Sequence, residues 1–348
     1  MTAKKIRWGV IGSGGIARRR TIPEGLMRAT NAELAVVYNR SPATNAEVAK
    51  AFGARAATSV SGLLASDIDA VYIGSPPDAH LEQVLACAAA GKHVLCEKPL
   101  ALTVTEVEKM IAGCRAAGVK LGTALMMRFH AQHRAALKLI DEGRLGRPVF
   151  ARAQLSCWYP PIPHAWRQDP ARGGGGALMD LGGHCIDLLE MFFGPVDAVS
   201  CTTARVVHEY PAEDAAVTTL HFANGALGVV DTFFCIRDES SRNVLELYGS
   251  GGSIHASGTI GQGERGEMVA RLQPAPGGYD AQQSRAVNAD ITINPEPVNM
   301  YRAEIEEFSQ AILEQREPAN NATIGLRSQR VLAACYESAR SGRRVNLA

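Results

Sequence analysis

The sequence lacks a surplus of charge of either sign, and it lacks a long apolar run. Its 348 residues contain 36 Lys and Arg against 35 Asp and Glu, so the formal net charge is +1. This balance offers no electrostatic footprint for nucleic acid or for an anionic membrane surface. No stretch reaches the roughly 18 apolar residues that a membrane-spanning helix requires. We therefore predict neither a nucleic acid nor a membrane as a partner.

The cysteines lack any pattern that would mark a disulfide framework or a metal site. No two of them form a Cys-x-x-Cys pair, and His130 and His133 have no third ligand at a suitable spacing. In a chain of this size such cysteines are typical of reduced, mostly buried thiols, which predicts a cytoplasmic protein without a bound metal. The scattered cysteines are Cys87, Cys96, Cys114, Cys157, Cys185, Cys201, Cys235 and Cys335.

The N-terminal part of the chain alternates short apolar runs with helical patterns. The apolar run after the basic N-terminal residues breaks at Gly12, which is typical of a strand and a turn rather than of a signal peptide. The alternation predicts an α/β fold, a doubly wound parallel sheet with helices on both faces. The predicted strands are 6–11, 33–38, 69–73, 93–96 and 119–123, and the predicted helices are 15–23, 42–52, 78–90 and 103–117.

After residue 123 the pattern changes to that of an α+β domain with a large, mostly antiparallel sheet. Asn224-Gly225 between two apolar runs predicts a hairpin. Residues 258–297 are polar and rich in Gly and Pro, which predicts a long surface excursion. The predicted helices are 131–142, 177–193, 300–317 and 324–341, and the predicted strands are 148–157, 198–207, 215–222, 227–235, 244–248 and 253–256.

A glycine-rich turn follows the first predicted strand and opens the first predicted helix. Gly12 permits a tight turn, Gly14 lets backbone amides approach a pyrophosphate, and Ala17 is small enough for close packing of the helix on the strand. The N-terminus of the helix favours the phosphate charge. The pattern predicts a dinucleotide site formed by Gly12, Ser13, Gly14, Gly15, Ile16 and Ala17.

The end of the second predicted strand selects between NAD and NADP. An acidic residue there would bind the ribose 2′-hydroxyl, whereas an arginine accommodates a 2′-phosphate. Asn39, Arg40 and Ser41 follow the strand without a carboxylate. Arg40 can pair with phosphate and Ser41 can donate a hydrogen bond to it. The sequence favours NADP, with NAD as the alternative.

Glu97-Lys98-Pro99 directly follows the predicted strand 93–96. In open α/β sheets, ligands bind at the carboxyl ends of the strands. A partly desolvated lysine at this edge can polarise or protonate a substrate oxygen, whereas for this segment taken alone an ordinary surface lysine is the favoured alternative. A cis proline would fix the turn.

A run of glycines at 173–176 precedes Asp180 and His184. On a regular helix, a separation of four residues places Asp180 and His184 on one face, with Asp187 one turn later. A carboxylate beside an imidazole orients it and stabilises its charged form, as a general base acting on an alcohol requires. On spacing alone, a solvated Asp–His pair is the alternative explanation.

Taken in order, these motifs resemble those of the glucose–fructose oxidoreductase/inositol dehydrogenase (Gfo/Idh/MocA) family. The resemblance covers nearly the whole chain and is loosest after Gly258. The motifs that carry it are Gly12-x-Gly14-x-x-Ala17, Gly74-Ser75-Pro76-Pro77-x-x-His80, Gly91-Lys92-His93-Val94-Leu95-Cys96-Glu97-Lys98-Pro99-Leu100, Gly146-Arg147-Pro148 and Gly174-Gly175-Gly176-x-x-x-Asp180-x-Gly182-x-His184-x-x-Asp187.

The resemblance implies an N-terminal Rossmann domain, residues 1–123, and a C-terminal α+β domain, residues 124–348. The second domain would bind substrate, and its open sheet would support a homodimer or homotetramer. The resemblance further implies that Lys98 contacts the reacting oxygen and that His184 is the acid–base group, supported by Asp180. The residues that it places beside the cofactor are Ser75, Pro76, His80, Glu97, Lys98 and Arg128.

This chain departs from the family pattern at Met127, where many members carry Asn before the equivalent of Arg128. The replacement makes that part of the expected pocket more apolar. A Pro-rich loop over residues 158–170 contains aromatic side chains whose faces could stack on sugar C–H groups; packing beneath the loop is the alternative. The residues expected to bind substrate are Lys98, Trp158, Tyr159, Trp166, Arg167, Asp180 and His184.

The resemblance implies an NAD(P)-dependent dehydrogenase or reductase that acts on CH–OH groups. It would transfer a hydride between the nicotinamide and a secondary alcohol, carbonyl or hemiacetal carbon of a sugar, cyclitol or related polyol. A dihydrodiol dehydrogenase or an anhydro-sugar reductase of the same family is the nearest alternative. A non-catalytic dinucleotide-binding sensor is another, but such a sensor could dispense with Lys98, Asp180 and His184.

Overall fold

The chain forms two compact units in a computed structural model that describes residues 4–273, 281 and 290–347. The first unit comprises Met1–Met126, Pro163–Asp180 and Asn299–Arg330, and the second comprises Met127–Ile162, Leu181–Val298 and Val331–Ala348. Both units therefore draw on separate stretches of the chain. The predicted division into a domain of residues 1–123 and a domain of residues 124–348 stays a prediction.

The first unit is built on a six-stranded sheet in which every pairing is parallel. Its strands are β1 (Ile6–Ile11), β2 (Ala32–Tyr38), β3 (Arg55–Ala56), β4 (Ala70–Ile73), β5 (His93–Glu97) and β6 (Leu121–Ala124). The strand order is β3-β2-β1-β4-β5-β6, so the direction of winding reverses between β1 and β4. In a doubly wound sheet, ligands bind at this reversal. The predicted parallel sheet is confirmed.

The second unit is built on a nine-stranded mixed sheet. Its strands are β7 (Pro148–Ser156), β8 (Val196–Ala204), β9 (Ala215–Phe222), β10 (Leu227–Phe233), β11 (Val244–Gly249), β12 (Gly252–Ser257), β13 (Glu267–Leu272), β14 (Ile291–Thr292) and β15 (Val345–Asn346). The strand order is β14-β13-β12-β11-β7-β10-β9-β8-β15, and only β7 and β10 pair in parallel among these strands. The mostly antiparallel sheet and the hairpin at Asn224-Gly225, between β9 and β10, are confirmed.

Local capping chemistry explains where several helices begin and end. The helices are α1 (Pro42–Phe52), α2 (Val60–Leu64), α3 (His80–Ala89), α4 (Val104–Ala116), α5 (Ala131–Asp141), α6 (Pro170–Gly173), α7 (Gly183–Phe193), α8 (Met300–Leu313) and α9 (Ala322–Ser341), with π-helices at Ala17–Leu26 and Leu178–Gly182. The Ser41 hydroxyl accepts a hydrogen bond from the Thr44 amide at 3.3 Å and caps α1, which ends at Gly53 with φ of 67°. Thr103 and Glu106 cap α4 reciprocally.

The first helix does not end at Pro23, as the sequence predicts, but extends over Ala17–Leu26. It is wound as a π-helix, and the Met27 amide donates to the Ile22 carbonyl at 2.9 Å, five residues back. This wide turn accommodates a proline, which has no N–H to donate. The prediction was wrong because it assumed regular α-helical winding.

The predicted surface excursion over residues 258–297 is also wrong in part, because β13 and β14 lie within it. Met268, Ala270 and Leu272 point into the core while the residues between them are more exposed. A burial pattern that alternates at every second residue is typical of a half-buried strand. The many Gly and Pro residues around this segment favoured the prediction of a loop instead. Residues 274–280 and 282–289 lie outside the described residues.

No helix in the described ranges combines the length and apolarity needed to cross a membrane. All eight cysteines are free thiols, and six of them are buried.

The largest buried aromatic side chain of the first unit is held by one polar contact. Trp8 in β1 is fully buried and packs against Phe308 of α8, with ring centroids 5.6 Å apart. Its indole N–H donates to the hydroxyl of buried Ser309 at 3.1 Å. This bond satisfies a donor that would otherwise be desolvated without a partner.

We expect Ser309→Ala to lower the free energy of unfolding by about 1–3 kcal/mol, because it leaves the Trp8 indole N–H buried without an acceptor. Urea unfolding followed by tryptophan fluorescence measures the change. Ser240→Ala at an exposed position is the control and should leave the midpoint unchanged. Equal stability of the two variants would contradict this role of Ser309.

Candidate active site

The glycine turn at the end of β1 leaves no room for a side chain at Gly12. Gly12 has φ of +76°, and a Cβ there would lie 2.4 Å from the Ser75 amide nitrogen. Gly15 also has a positive φ of +51°, but a Cβ there would meet nothing within 4 Å. Gly12 therefore allows two loops to approach closely, whereas the space at Gly15 stays open.

The polar groups of this turn fit a pyrophosphate. Ser13 is fully buried, and its hydroxyl has no hydrogen-bond partner among the described residues. A Cβ at Gly14 would lie 3.1 Å from Asn39 Nδ2, so the glycine lets the turn pass close to that side chain. Ile16 precedes the first helix, and buried Ala17 begins it. An unsatisfied hydroxyl, an open turn and a helix N-terminus together form a suitable site for phosphate groups.

The residues after β2 differ in whether their side chains form hydrogen bonds within the protein. Asn39 Oδ1 accepts a hydrogen bond from the Ser41 amide at 2.9 Å, and Ser41 caps α1. Arg40 is exposed, and it forms no side-chain hydrogen bond or ion pair with other described residues. The guanidinium group of Arg40 is therefore available to a phosphate.

His80 forms hydrogen bonds with the turn that follows β5. Its ring is buried, with Nε2 2.8 Å from the Ser75 carbonyl oxygen and Nδ1 3.1 Å from both the Pro99 and Leu100 carbonyl oxygens. Burial lowers the pKa of His80. The Ser75 hydroxyl donates to Gln83 at 2.6 Å, and Pro76 is half-buried. The structure thus ties His80 to backbone carbonyls, while its expected place beside the cofactor stays a prediction.

Lys98 and Asp180 form an ion pair at the carboxyl edge of the parallel sheet. The turn after β5 contains a cis peptide bond between Lys98 and Pro99. The Lys98 ammonium donates to both the carboxylate Oδ1 and the backbone carbonyl of Asp180, each at 2.7 Å. Only 13% of the Lys98 side chain is exposed. Two short bonds to one residue fix the position of the ammonium group.

Arg167 is a second cation on the same carboxylate. Its Nε donates to Asp180 Oδ2 at 2.8 Å, and its guanidinium lies over the Trp166 ring at 4.1 Å. Burial favours a raised pKa for Asp180, but the charges of Arg167 and then Lys98, with their hydrogen bonds, lower the pKa well below its ordinary value. Asp180 is therefore an anion at any pH near neutrality.

The helix around Asp180 and His184 differs from the prediction of one helix over 177–193. A π-helix at Leu178–Gly182 precedes α7, so the regular spacing assumed for the two side chains is interrupted. His184 is the second residue of α7 and is 9% exposed. The predicted support of His184 by Asp180 stays a prediction, and the described partners of the Asp180 carboxylate are Lys98 and Arg167.

Arg128 binds Asp187 in the second unit. Its Nε lies 2.9 Å from both carboxylate oxygens, and Nη2 lies 2.7 Å from Oδ1. Asp187 is 2% exposed, so the pair balances a buried charge. The sequence places Asp187 on the catalytic face, but it does not reveal this partner. The predicted contact of Arg128 with the cofactor stays a prediction.

Trp158 and Tyr159 belong to an aromatic cluster in the second unit. The guanidinium of Arg237 lies 4.0 Å from the centre of the Trp158 ring, and His208 packs edge-on at 4.9 Å. Tyr159 packs on Phe234 with centroids 4.9 Å apart. One face of the Trp158 ring is thus already covered by Arg237, a residue that no sequence motif marks.

The described part of the chain contains no group of three or more His, Cys, Asp and Glu side chains that could hold a metal ion.

Comparison with known proteins agrees with this geometry. The model of an oxidoreductase family with an NAD-binding Rossmann fold matches residues 6–125, and that of the GFO/IDH/MocA C-terminal domain matches residues 133–255. A 1,5-anhydro-D-fructose reductase of Ensifer adhaerens is 31% identical, covering 98% of each chain. A D-xylose 1-dehydrogenase (NADP(+)) 2 of Haloferax volcanii is 30% identical, covering 98% of this chain and 99% of its own.

Solved structures support the same grouping. An aldose-aldose oxidoreductase from Caulobacter crescentus, complexed with glycerol, is 27% identical with a TM-score of 0.87, covering 99% of this chain and 100% of its own. The WlbA dehydrogenase from Bordetella pertussis, in complex with NADH and UDP-GlcNAcA, is 26% identical with a TM-score of 0.84, covering 100% and 99%. The fold and site therefore define an oxidoreductase with an NAD(P)-binding Rossmann domain. The chain belongs to the GFO/IDH/MocA family, as the sequence motifs predict.

We expect Gly12→Ala to weaken dinucleotide binding on the order of a hundredfold, because its Cβ would push the Ser75 backbone away from the turn. Gly15→Ala is the matched control, since it has the same kind of φ but open space, and an alanine there carries a backbone cost of only about 1–2 kcal/mol. Titration of NADPH fluorescence measures both dissociation constants. Equal losses in the two variants would show that backbone strain, rather than the close approach at Gly12, is decisive.

Proposed function

We propose that this protein is an NADP(H)-dependent dehydrogenase or reductase of sugars, cyclitols or related polyols. The hydride would move between the nicotinamide and a secondary alcohol, carbonyl or hemiacetal carbon. The observation that carries the proposal is the Lys98–Asp180 ion pair at the edge of the sheet where the dinucleotide turn also lies. The relatives named above, which act on an anhydro-sugar and on xylose, support this substrate class.

Lys98 serves as the electrophilic group that binds the reacting oxygen. An ammonium has three N–H donors, and two of them point at Asp180. The third is left to donate to an alkoxide or carbonyl oxygen. A donor fixed in place before the reaction stabilises developing negative charge without reorganisation.

His184 serves as the acid–base group, because Asp180 is unsuited to that task. The low pKa of Asp180 keeps its carboxylate ionised, so it does not release a proton near neutral pH. An imidazole is the side chain best suited to proton transfer in that range, and His184, the second residue of α7, lies only four residues further along the chain. Asp180 then acts as the anchor of Lys98.

NADP fits the chain better than NAD. The glycine turn would hold the pyrophosphate, and the exposed Arg40 would pair with the 2′-phosphate, with Asn39 and Ser41 beside it. The bound nicotinamide supplies the hydride chemistry, and the protein supplies orientation and proton transfer. The name of the Haloferax relative also includes NADP(+).

The expected substrate wall consists of aromatic and cationic side chains of the loop over residues 158–170. Trp166 and Arg167 stack on each other, and Trp158 and Tyr159 belong to the aromatic cluster described above. Aromatic faces suit the C–H surfaces of sugars. An anhydro-sugar reductase is the second candidate, favoured by the 31% identity to the Ensifer enzyme.

We further infer a cytoplasmic homodimer or homotetramer. The eight free cysteines suit a reducing compartment. Val217 and Leu227, on β9 and β10 of the nine-stranded sheet, are 46% and 49% exposed and would be covered by a second copy. Light scattering of the purified protein measures the state directly.

We expect Lys98→Met and His184→Ala each to lower kcat about 10²–10⁴-fold, the usual contribution of a positioned acid–base or electrophilic group. NADPH affinity should stay within a few-fold. Oxidation and reduction of a panel of sugars, polyols and their keto forms, followed by nicotinamide absorbance, measures the loss. Lys109→Met, an exposed lysine on α4, is the control. Full activity in either site variant would contradict the mechanism.

We expect Arg40→Ala to raise the KM for NADP about tenfold and to leave the KM for NAD unchanged, because only NADP carries the 2′-phosphate that Arg40 would bind. Steady-state kinetics with both cofactors measure the change, with Arg28→Ala at another exposed arginine as the control. An unchanged preference for NADP would show that Arg40 does not bind the 2′-phosphate.

A further inference from the structure

Three side chains of the first unit form a hydrogen-bonded chain that ends at the turn carrying Lys98. Thr21 Oγ1 donates to the Tyr72 hydroxyl at 3.0 Å, and the Tyr72 hydroxyl donates to Glu97 Oε1. The other Glu97 oxygen accepts the Lys98 backbone N–H at 3.2 Å. Thr21, Tyr72 and the Lys98 amide are the donors, and the Glu97 carboxylate is the final acceptor of these hydrogen bonds.

Tyr72 lies between the dinucleotide turn and the reactive turn. It belongs to β4 and is fully buried. A Cβ at Gly74 would lie 3.0 Å from Tyr72 Cε1 and 3.3 Å from the Gly12 carbonyl oxygen, so the Tyr72 ring and the glycine turn both lie close to Gly74. Thr21 belongs to the helix that this turn opens. The Tyr72 hydroxyl therefore connects that helix to Glu97.

Glu97 is surrounded by charged and titratable groups from several elements. Burial raises the pKa of Glu97, whereas the hydrogen bond from Tyr72 and then the charge of Lys98 lower it. Those groups are Tyr72 in β4, Cys96 in β5, Lys98 in the same turn, Arg167, and Tyr301 and Glu304 in α8. The bond from Tyr72 therefore favours the ionised form of Glu97.

We propose that Tyr72 is a positioning residue that holds the Glu97 carboxylate beside the cofactor and against the Lys98 turn. The proposal rests on the function proposed above and assigns Tyr72 no contact with substrate. Burying a hydroxyl costs free energy that a phenylalanine of the same shape would avoid. What the tyrosine adds is its hydrogen bond to Glu97.

Tyr72→Phe removes the hydroxyl and keeps the ring. We expect kcat/KM with NADPH to fall about tenfold, in keeping with the loss of a hydrogen bond to a charged acceptor, and the NADPH dissociation constant to rise a few-fold. Because the bond lowers the pKa of Glu97, its loss raises that pKa. The acidic limbs of the kcat/KM and NADPH-binding profiles should therefore move to higher pH.

Glu97→Gln tests whether Tyr72 acts through Glu97. In that background, Tyr72→Phe should change neither the NADPH dissociation constant nor the pH profile any further, because the titrating group is gone. Independent, additive effects of the two substitutions would overturn the proposal.

Tyr301→Phe is the matched control. Tyr301 is 4% exposed and also faces Glu97, but its hydroxyl has no hydrogen-bond partner in the described ranges. NADPH binding and the pH profile should be those of wild type. Thr21→Val is the second variant, should Tyr72→Phe not fold, and it should produce a smaller shift in the same direction.

The readouts separate this proposal from the proposed function. A wild-type protein that binds NADPH but turns over no member of the sugar panel would contradict the function, while NADPH binding would still test Tyr72. In an active enzyme, a Tyr72→Phe variant with wild-type NADPH affinity and pH profile would overturn the positioning role. So would an equal effect of Tyr301→Phe.

Discussion

The carboxyl ends of parallel strands meet at one edge of the six-stranded sheet, and the functional groups of the first unit depend on that constraint. β1 ends at the Gly12 turn, β4 ends next to Gly74, and β5 ends at Glu97. Parallel pairing brings these ends together although long stretches of chain separate them. A Cβ at Gly12 would meet the Ser75 backbone, and one at Gly74 would meet the Gly12 carbonyl and the Tyr72 ring, so the turns at the ends of β1 and β4 lie close together.

The charges of the residues at this edge determine which of them can transfer a proton. A buried carboxylate is costly unless it is paired, and Asp180 is paired twice, with Lys98 and with Arg167. The second cation, Arg167, also lowers the pKa of Asp180 and so keeps it ionised beside Lys98. An aspartate held in this way fixes a donor in place but does not carry protons, so the proposed chemistry needs a separate acid–base group.

Much of the fold can be predicted from local sequence features, such as helix capping residues and the spacing of apolar residues. The structure has α1 and β9 at the predicted bounds, because capping by Ser41 and alternating apolar residues are local features. The motif order identified the family, and it singled out Lys98 and Asp180, which the structure joins in an ion pair. Local signals failed where the winding changed, at Pro23 and before α7, since the assumed period of 3.6 residues does not hold in a π-helix.

The sequence by itself determined the fold class, the glycine turn and the family, because periodicity, turn residues and spaced motifs are properties of short segments. Only the tertiary structure decided the partners: that Arg167 shares Asp180 with Lys98, and that Tyr72, one apolar-strand residue among others in the sequence, donates to Glu97. These contacts join residues far apart in the chain. Their geometry depends on how strands and helices pack, which no local pattern encodes.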